Sequence, residues 1–530
     1  MLEPPWAKRG YADAGRAARA ANAGPHKTAR GASMMDRMTP GARPVLHRAT
    51  LAVVMAAACI ATAAVESEQL ADPIEGRWLG EAGFARDRVV VALEFRRNDQ
   101  HELVGYLYQP VLNVYGVPLP GAFVRDAGRY VNADNRITLT LDDTKLEGTW
   151  SSLAFPVSLR RSETLPAEAP LPDAPMGPGP RWHVKLGAPI YAAAAVREGV
   201  AYVGTTGGVF HAVRVRDGSL AWTFNAGRPV HGEALVTDEA VYFACDSGLL
   251  YKLERASGKE VWRYDLGDAQ VARVLPHTAV FDYDYHGPKP LLIEEVVYVG
   301  SGDGALHAVD ARTGRRVWRF ETGGKVRVSA VQAGDRVVFG GLDNKVYAVD
   351  SRRGTLAWSV DTRAPVTTAP ALVDGKLIVG TRGSVLYALQ PQTGEILWRD
   401  LFWGSWVESE AVERDGLAYI GSSDLRRVSA IDPRDGRVVW RTDIYGSPWG
   451  RPLVTAQYVY IGAVGTDPYM MRHVGGMAAL ERASGRLAWR WPVASAPGAL
   501  QSGFAASPAL DGDTLVVGGL DGSLYAFPAR

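Results

Sequence analysis

The chain has 530 residues, of which 47% are hydrophobic and 22% charged, and this composition excludes wholesale disorder and a polytopic membrane protein. Lys plus Arg number 58 against 57 Asp plus Glu. The resulting net charge of +1 gives no electrostatic reason to expect nucleic acid or anionic lipid as the main partner. Only two cysteines occur, Cys59 and Cys245, so a disulfide framework and a cysteine zinc site are excluded as well.

The N-terminal region is typical of a targeting segment. Residues 1–33 are rich in Ala, Arg, Gly and Pro, show no apolar period, and precede several possible start methionines. Residues 34–65 contain a basic stretch, an apolar run from Leu51 to Ala64 and small residues near its end, the order found in a secretory signal peptide. The run is shorter than the roughly 20 residues of a membrane span. We therefore predict a signal peptide, with an uncleaved anchor as the alternative.

The predicted compartment is the periplasm or the exterior of a bacterium, with association with the outer membrane as a further option. Cys59 raises the question of lipidation, because bacterial lipoproteins are cleaved just before a cysteine, although Ala56 stands where Leu is usual. Such an anchor at Cys59 would be the chain's one expected membrane contact. Cys245 lies in an apolar strand and is expected to be a buried thiol.

Residues 66–161 are predicted to form a small antiparallel β-barrel. Apolar and polar residues alternate in short runs separated by Gly, Asn and Asp, at 88–95, 102–108, 136–141 and 155–159. Two tryptophans, Trp78 and Trp150, stand near the ends of the segment. The pattern weakly resembles a lipocalin-like barrel and indicates no function. Residues 162–180 contain six prolines and are predicted to be a stiff linker.

Residues 181–530 repeat with a period of about 40. Tryptophans recur at spacings of 40, 40, 56, 40, 40, 42 and 49 residues, at Trp182, Trp222, Trp262, Trp318, Trp358, Trp398, Trp440 and Trp489. Seven of them end a phrase such as AVDARTGRRVW (308–318), whose Gly always stands four before Trp and suits a turn. Four short strands in about 40 residues are typical of one blade of a β-propeller.

The two ends of the repeat region are complementary. The last unit stops at Arg530 with no final strand and no Trp, whereas Arg181 to Gly187 supplies a Trp-bearing strand with no strands before it. We therefore predict an all-β chain whose eight-bladed β-propeller, residues 181–530, is closed by pairing its N-terminal strand with its C-terminal blade. Closure covers sheet edges that would otherwise be exposed. An open solenoid is the alternative.

The A-x-D-x-x-T-G-x-x-W phrase resembles the tryptophan-docking repeat of the pyrroloquinoline-quinone (PQQ)-type propeller superfamily, over about 350 residues. One branch of that superfamily comprises quinoprotein dehydrogenases, and another the BamB-type outer-membrane assembly proteins, which are periplasmic and non-enzymatic. The resemblance implies that the tryptophans pack blade against blade in both branches. BamB-type proteins lack an N-terminal barrel and carry a clear lipobox, so the resemblance to them is incomplete.

Chemical motifs are scarce. The sequence has no adjacent cysteine pair, no CxxCH and no obvious calcium spacing, and its ten histidines are scattered. If the chain were a quinoprotein, arginines in or before innermost strands would neutralise quinone carboxylates and two glutamates would hold Ca²⁺. These channel candidates are Arg273, Arg327, Arg451, Glu408 and Glu410. Solvated channel residues are the alternative for all five.

Three units exceed the period of 40, and all three insertions fall at loops of one face. Unit three gains 16 residues and unit eight gains seven before the innermost strand, and unit seven gains nine after its second strand. We call this the loop face. Its candidate binding residues are aromatic, Met or His: Tyr283, Tyr285, His286, Trp403, Trp406, Tyr445, Trp449, Tyr469, Met470, Met471 and His473. Such side chains are enriched in interfaces, but they also pack long loops.

Two functions from different classes remain. In the favoured one, a non-enzymatic propeller binds a protein or polysaccharide partner on the loop face, with no cofactor, and envelope assembly is one role of that kind. In the alternative, the chain is a PQQ- and Ca²⁺-dependent dehydrogenase with the quinone in the channel.

Overall fold

A computed structural model describes residues 72–83, 88–150, 154–168, 174–271, 273, 284–402, 405–466, 473–495 and 499–529. The predicted signal peptide, its start methionines and Cys59 lie outside these ranges, and so do Tyr283, Trp403, Tyr469, Met470 and Met471. Over the described ranges, no helix has the length and apolar character needed to cross a membrane.

The N-terminal region forms one antiparallel sheet of nine strands. The strands are β1 Gly76–Ala82, β2 Val89–Arg97, β3 Leu103–Gln109, β4 Val114–Pro118, β5 Val124–Asp126, β6 Arg129–Asn132, β7 Ile137–Asp142, β8 Lys145–Trp150 and β9 Phe155–Arg161. A short 3-10 helix, Pro110–Leu112, joins β3 to β4. Neighbours pair in the order β4-β3-β2-β1-β9-β8-β7-β6-β5.

This sheet is a curled half-barrel, so the predicted closed barrel is not confirmed. Its end strands β4 and β5 share no ladder within the described residues. The loop between them covers part of the edge of β3 instead, where the N–H groups of Leu119 and Phe123 each donate to a β3 carbonyl at 2.8 Å. The concave side is filled by its own side chains, among them the fully buried Trp78.

The remaining strands form eight sheets with four main strands each, in sequence order in the first seven, whereas β10 completes the eighth. The first four blades are β11 Ala195–Arg197, β12 Val200–Gly204, β13 Val209–Arg214, β14 Leu220–Asn225; β15 Leu235–Val236, β16 Ala240–Cys245, β17 Leu249–Glu254, β18 Glu260–Asp265; β19 Leu291–Ile293, β20 Val296–Gly300, β21 Ala305–Asp310, β22 Arg316–Glu321; and β23 Val331–Ala333, β24 Arg336–Gly340, β25 Lys345–Asp350, β26 Leu356–Asp361.

The other four blades complete the ring. They are β27 Ala371–Val373, β28 Lys376–Gly380, β29 Val385–Leu389, β30 Ile396–Leu401; β31 Val412–Arg414, β32 Leu417–Gly421, β33 Arg427–Ile431, β34 Val438–Asp443; β35 Leu453–Val454, β36 Tyr458–Thr466, β37 Gly476–Glu481, β38 Leu487–Pro492; and β40 Ala509–Asp511, β41 Thr514–Gly518, β42 Ser523–Pro528 with β10 Trp182–Lys185. An added strand, β39 Gln501–Gly503, pairs with the extension of β36.

The predicted eight-bladed propeller with N-to-C closure is thus confirmed. β10 pairs antiparallel with β42 and supplies the outer strand of the eighth blade. Arg181 reinforces the closure by donating to the carboxylate of Asp513 at 2.8 Å and to the Thr514 hydroxyl at 2.6 Å. In every blade the second and third strands are mostly buried, because they pack against both neighbouring blades.

Seven of the eight repeat tryptophans dock on the turn glycine of the following unit. Trp358 shows the arrangement: its indole N–H donates to Pro391 O at 3.0 Å, and its ring lies over Gly394. A Cβ at Gly394 would stand 2.7 Å from the ring, and its φ of +77° also favours glycine. The same contact joins Trp182, Trp222, Trp262, Trp318, Trp398 and Trp440 to Gly218, Gly258, Gly314, Gly354, Gly436 and Gly485.

The eighth tryptophan docks on the proline-rich linker. Trp489 follows the last repeat glycine, and the closing strand β10 has no repeat turn before it. Gly177 fills that place: a Cβ there would stand 2.4 Å from the Trp489 ring. Met176 forms an isolated parallel β-bridge with Arg490, and the Gly177 N–H donates to Arg490 O at 2.6 Å. Residues 175–177 therefore belong to the ring as well as to the linker.

This contact predicts that Gly177→Ala destabilises the propeller although the site lies outside the repeat. Because the methyl group would overlap the Trp489 ring, we expect the free energy of unfolding to fall by roughly 1–3 kcal/mol in a denaturant titration. Gly179→Ala is the matched control, since a Cβ at that position would meet nothing within 4 Å. Equal effects of the two substitutions would contradict docking of the linker.

Candidate functional site

The blades present equivalent residues to the central channel. In each blade the innermost strand begins its ladder at an equivalent residue, for example Leu235 opposite Tyr242 and Leu453 opposite Tyr460. Side chains in extended chain alternate, so residues two and four positions earlier face the same side. All sixteen of these residues line one cavity of about 590 Å³.

These residues form two rings around the channel. We define each ring by how many residues it precedes the first paired residue of the innermost strand. The upper ring, four residues before it, consists of Tyr191, His231, Gly287, Arg327, Thr367, Glu408, Trp449 and Ala505. The girdle, two residues before it, consists of Ala193, Glu233, Lys289, Ser329, Ala369, Glu410, Arg451 and Ser507. Because the chain enters the innermost strand from the loop face, the upper ring is nearer to that face.

The girdle repeats one pattern twice around the ring. From blade two onward its residues are Glu, Lys, Ser, Ala and then Glu, Arg, Ser, Ala. Lys289 Nζ lies 2.5 Å from Glu233, and Arg451 contacts Glu410 at 3.4 Å. Arg451 also reaches across the channel to Glu233 at 3.1 Å. Two acids and two bases thus neutralise one another at this level.

Arg273 and the upper-ring residue Arg327 are held in one buried network of carboxylates. Arg273 donates to both carboxylate oxygens of Asp246, at 2.9 and 3.0 Å, and contacts Asp284 at 3.2 Å. Arg327 pairs with Asp268 at 2.8 Å and approaches Asp284 at 3.4 Å. Both guanidinium groups are therefore neutralised by carboxylates of the chain itself.

Glu408 is enclosed by two basic partners. Arg382 Nε lies 2.8 Å from one carboxylate oxygen and His286 Nε2 lies 2.6 Å from the other. Burial acts to raise the pKa of Glu408, but the charge of Arg382 and the bond to His286 outweigh it and lower the pKa to about 2. Glu410 differs, because burial outweighs the attraction of Arg451 and raises the pKa of this carboxyl.

Several predicted binding residues meet in an apolar cluster at the loop-face end of the cavity. Tyr285, from the insertion of blade three, stacks on Trp449 with ring centroids 5.2 Å apart. Tyr191 and Trp406 pack against the same cluster, and the Arg382 guanidinium lies 4.5 Å from the Trp406 ring. Tyr285 and Trp449 are only 3% and 5% exposed, so they pack the insertions instead of presenting an aromatic surface.

The other two described binding candidates lie apart from that cluster, near blades six and seven. Tyr445 lies beneath the Arg490 guanidinium at 4.8 Å, and His473 Nδ1 lies 3.0 Å from Ser447 Oγ. Both side chains are buried. Burial, with a smaller contribution from Arg426, lowers the pKa of His473 to about 3, so this imidazole is neutral at physiological pH.

The insertions of blades seven and eight are tied together on the loop face. The extended strand β36 pairs with β39 through Val464 opposite Gly503 and Thr466 opposite Gln501. The Tyr191 hydroxyl donates to the Gln501 side chain at 3.2 Å, which connects this pair of insertions to blade one. The described parts of these insertions therefore contact one another across blades one, seven and eight.

Sequence reasoning missed most partners of the channel charges. Asp246, Asp268 and Arg382 follow second or outer strands, and Glu233 and Lys289 belong to the girdle. Aligning the repeats on the first residue of the innermost strand would have found Glu233 and Lys289, because Glu410 and Arg451 occupy the same position. No comparable signal marks Arg382.

Fold and channel together define a tryptophan-docked, eight-bladed propeller. The family model described as "Outer membrane protein assembly factor BamB" matches residues 178–285, 248–402 and 381–530, which together span the propeller. The chain belongs to this family. No curated protein matches the chain.

Solved structures show the same architecture at low sequence identity. The computationally designed Ika8 protein is 16% identical, with 67% of this chain and 100% of that chain covered and a TM-score of 0.50. Quinohemoprotein alcohol dehydrogenase from Comamonas testosteroni is 17% identical, covering 67% and 76%, with a TM-score of 0.50. BamB from Moraxella catarrhalis is 18% identical, covering 64% and 93%, with a TM-score of 0.44. The likenesses to the Ika8 protein and to the dehydrogenase concern the fold alone.

Pairing around Glu408 predicts a pH-dependent contribution to stability. A carboxyl whose folded pKa lies below its ordinary 4.5 stabilises the fold above that value and loses the contribution as pH falls toward 2. At pH 7, Glu408→Gln should cost roughly 3–5 kcal/mol, because Arg382 would lose its buried partner. The cost relative to wild type should shrink between pH 4.5 and pH 3, as measured by denaturant unfolding.

The exposed Glu239→Gln is the matched control and should change stability little at either pH. A cost of Glu408→Gln that stays the same from pH 7 to pH 3 would show that the ion pair is not its source.

Proposed function

We propose that this chain is a non-enzymatic, periplasmic docking propeller that binds a protein partner on its loop face and serves outer-membrane protein assembly. The observation that carries the proposal is the internal neutralisation of the channel charges, in a chain whose propeller matches the assembly-factor family. A channel whose ionic groups are committed to one another favours binding at the surface over chemistry inside it.

A quinone site fits these residues poorly. Arg273, Arg327 and Arg451 would each have to leave a carboxylate of the chain before neutralising a quinone carboxylate. Both oxygens of Glu408 are occupied by Arg382 and His286, whereas Ca²⁺ requires free oxygen ligands. No group of three or more His, Cys, Asp and Glu in the described part of the chain is placed to hold a metal ion.

The loop face supports docking through its shape. Its insertions come from blades three, seven and eight, and their described parts are joined by the β36–β39 pairing and the Tyr285–Trp449 stack. Contacts that hold a surface in one conformation lower the conformational entropy lost when a partner binds. A protein partner fits this better than a polysaccharide, because the described aromatic rings are largely buried and offer little flat surface for sugar stacking.

Site-specific photocrosslinking in the periplasm of a bacterial host tests which face docks. A photoreactive residue at the exposed positions Gln270 or Ala494, in the insertions of blades three and eight, should give one shared adduct with an envelope assembly protein identified by mass spectrometry. The matched positions Glu239 and Glu295, on turns of the opposite face, should not give it. Adducts from the opposite face alone, or equally from all four positions, would contradict the proposal.

A further inference from the structure

The cavity itself opens away from the loop face. Its loop-face end is bounded by the cluster of Tyr285, Trp449 and Tyr191, and its lining continues past the girdle onto the innermost strands. There Leu372, which lines the cavity on β27, is 44% exposed. A ligand can therefore enter from the opposite face, which we call the turn face because it carries the turns between innermost and second strands.

The girdle has hydrogen-bonding capacity that the chain does not use. Arg451 has five N–H donors, of which two contact Glu233 and Glu410, and within the described residues Lys289 Nζ hydrogen-bonds to Glu233 alone. Thr367, one level above, is 4% exposed, and its hydroxyl has no hydrogen-bond partner in the described part of the chain. The Arg451 and Lys289 side chains are partly exposed, whereas a hydroxyl as buried as that of Thr367 is normally satisfied, which favours a polar occupant of the cavity.

The charge balance indicates the class of that occupant. A charged ligand would add an uncompensated charge to a girdle whose acids and bases already balance, which is costly in a partly buried site. A neutral hydroxyl both donates and accepts, so adjacent hydroxyls can bind the carboxylate and the cation of one pair without separating them. The girdle offers this combination twice, as Glu233 with Lys289 and Glu410 with Arg451.

The turn face is close to neutral as well. Most of its exposed turn acids are paired with basic side chains, as Glu198 is with Arg255 and Asp374 is with Lys376. The mouth of the cavity therefore carries no strong field of one sign, and a ligand needs no charge to enter.

We propose that the girdle is a binding site for an uncharged saccharide of about two sugar units, which enters from the turn face. The 590 Å³ cavity lies within the range of small-molecule sites. Each half of the girdle holds one polar edge of the ligand, and the aliphatic innermost strands contact its apolar faces. The site is separate from the docking surface proposed above, so either assignment can fail without the other.

Isothermal titration of the full chain with maltose, cellobiose and N,N′-diacetylchitobiose tests this site, with glucuronate and putrescine as charged probes. We expect at least one neutral disaccharide to bind with a Kd of about 1 mM or tighter and the charged probes to bind at least tenfold more weakly. Glu410→Gln and Thr367→Val should each weaken the disaccharide at least threefold. The exposed Glu395→Gln should leave its affinity unchanged, and circular dichroism verifies that every variant is folded.

Three results would overturn the assignment. They are no heat of binding from any of the three disaccharides at 10 mM, tighter binding of a charged probe than of all three, and an affinity unchanged by both Glu410→Gln and Thr367→Val in folded protein.

Discussion

Docking of a tryptophan on the turn glycine of the next unit is the contact on which the ring depends. It recurs at every blade junction and fixes both the spacing and the rotation of neighbouring blades, because each indole has a glycine beneath it and, in seven cases, a backbone carbonyl within 2.8–3.1 Å of its N–H. The last junction lacks a repeat glycine, and Gly177 of the linker takes that place. The linker and the β10–β42 pairing thereby close the ring together.

Regular docking also arranges the channel. Once the blades are equally spaced, residues at one position of every repeat face one another across the axis, so charges distant in sequence become neighbours, as Glu233 and Arg451 do. The repeat is tolerant at these positions, since they do not touch the docking tryptophans. Acidic and basic residues stand side by side at these positions. The cavity is therefore polar, although the charges of its girdle balance.

The sequence alone was sufficient to predict the features that depend on the repeat. The spacing of the tryptophans predicted eight blades, and the orphan strand at Arg181 to Gly187 predicted the closure. It was insufficient for features that a single contact determines, such as the pairing of two end strands or the burial of a ring. Alternation in residues 88–159 predicted strands correctly, but it carries no information on whether β4 and β5 meet, and the loop bonds of Leu119 and Phe123 decide that they do not. Similarly, aromatic content placed Tyr285 and Trp449 on the loop face, but composition alone does not distinguish an exposed ring from a buried stack.

Equilibrium dialysis of the purified chain against PQQ, with and without Ca²⁺, tests most directly the claim that the channel charges serve one another. We expect no binding at tens of micromolar under either condition, since Arg273, Arg327 and Glu408 are held by partners within the chain. Binding of one equivalent that depends on Ca²⁺ would contradict it, because those ion pairs would then have to open for the cofactor.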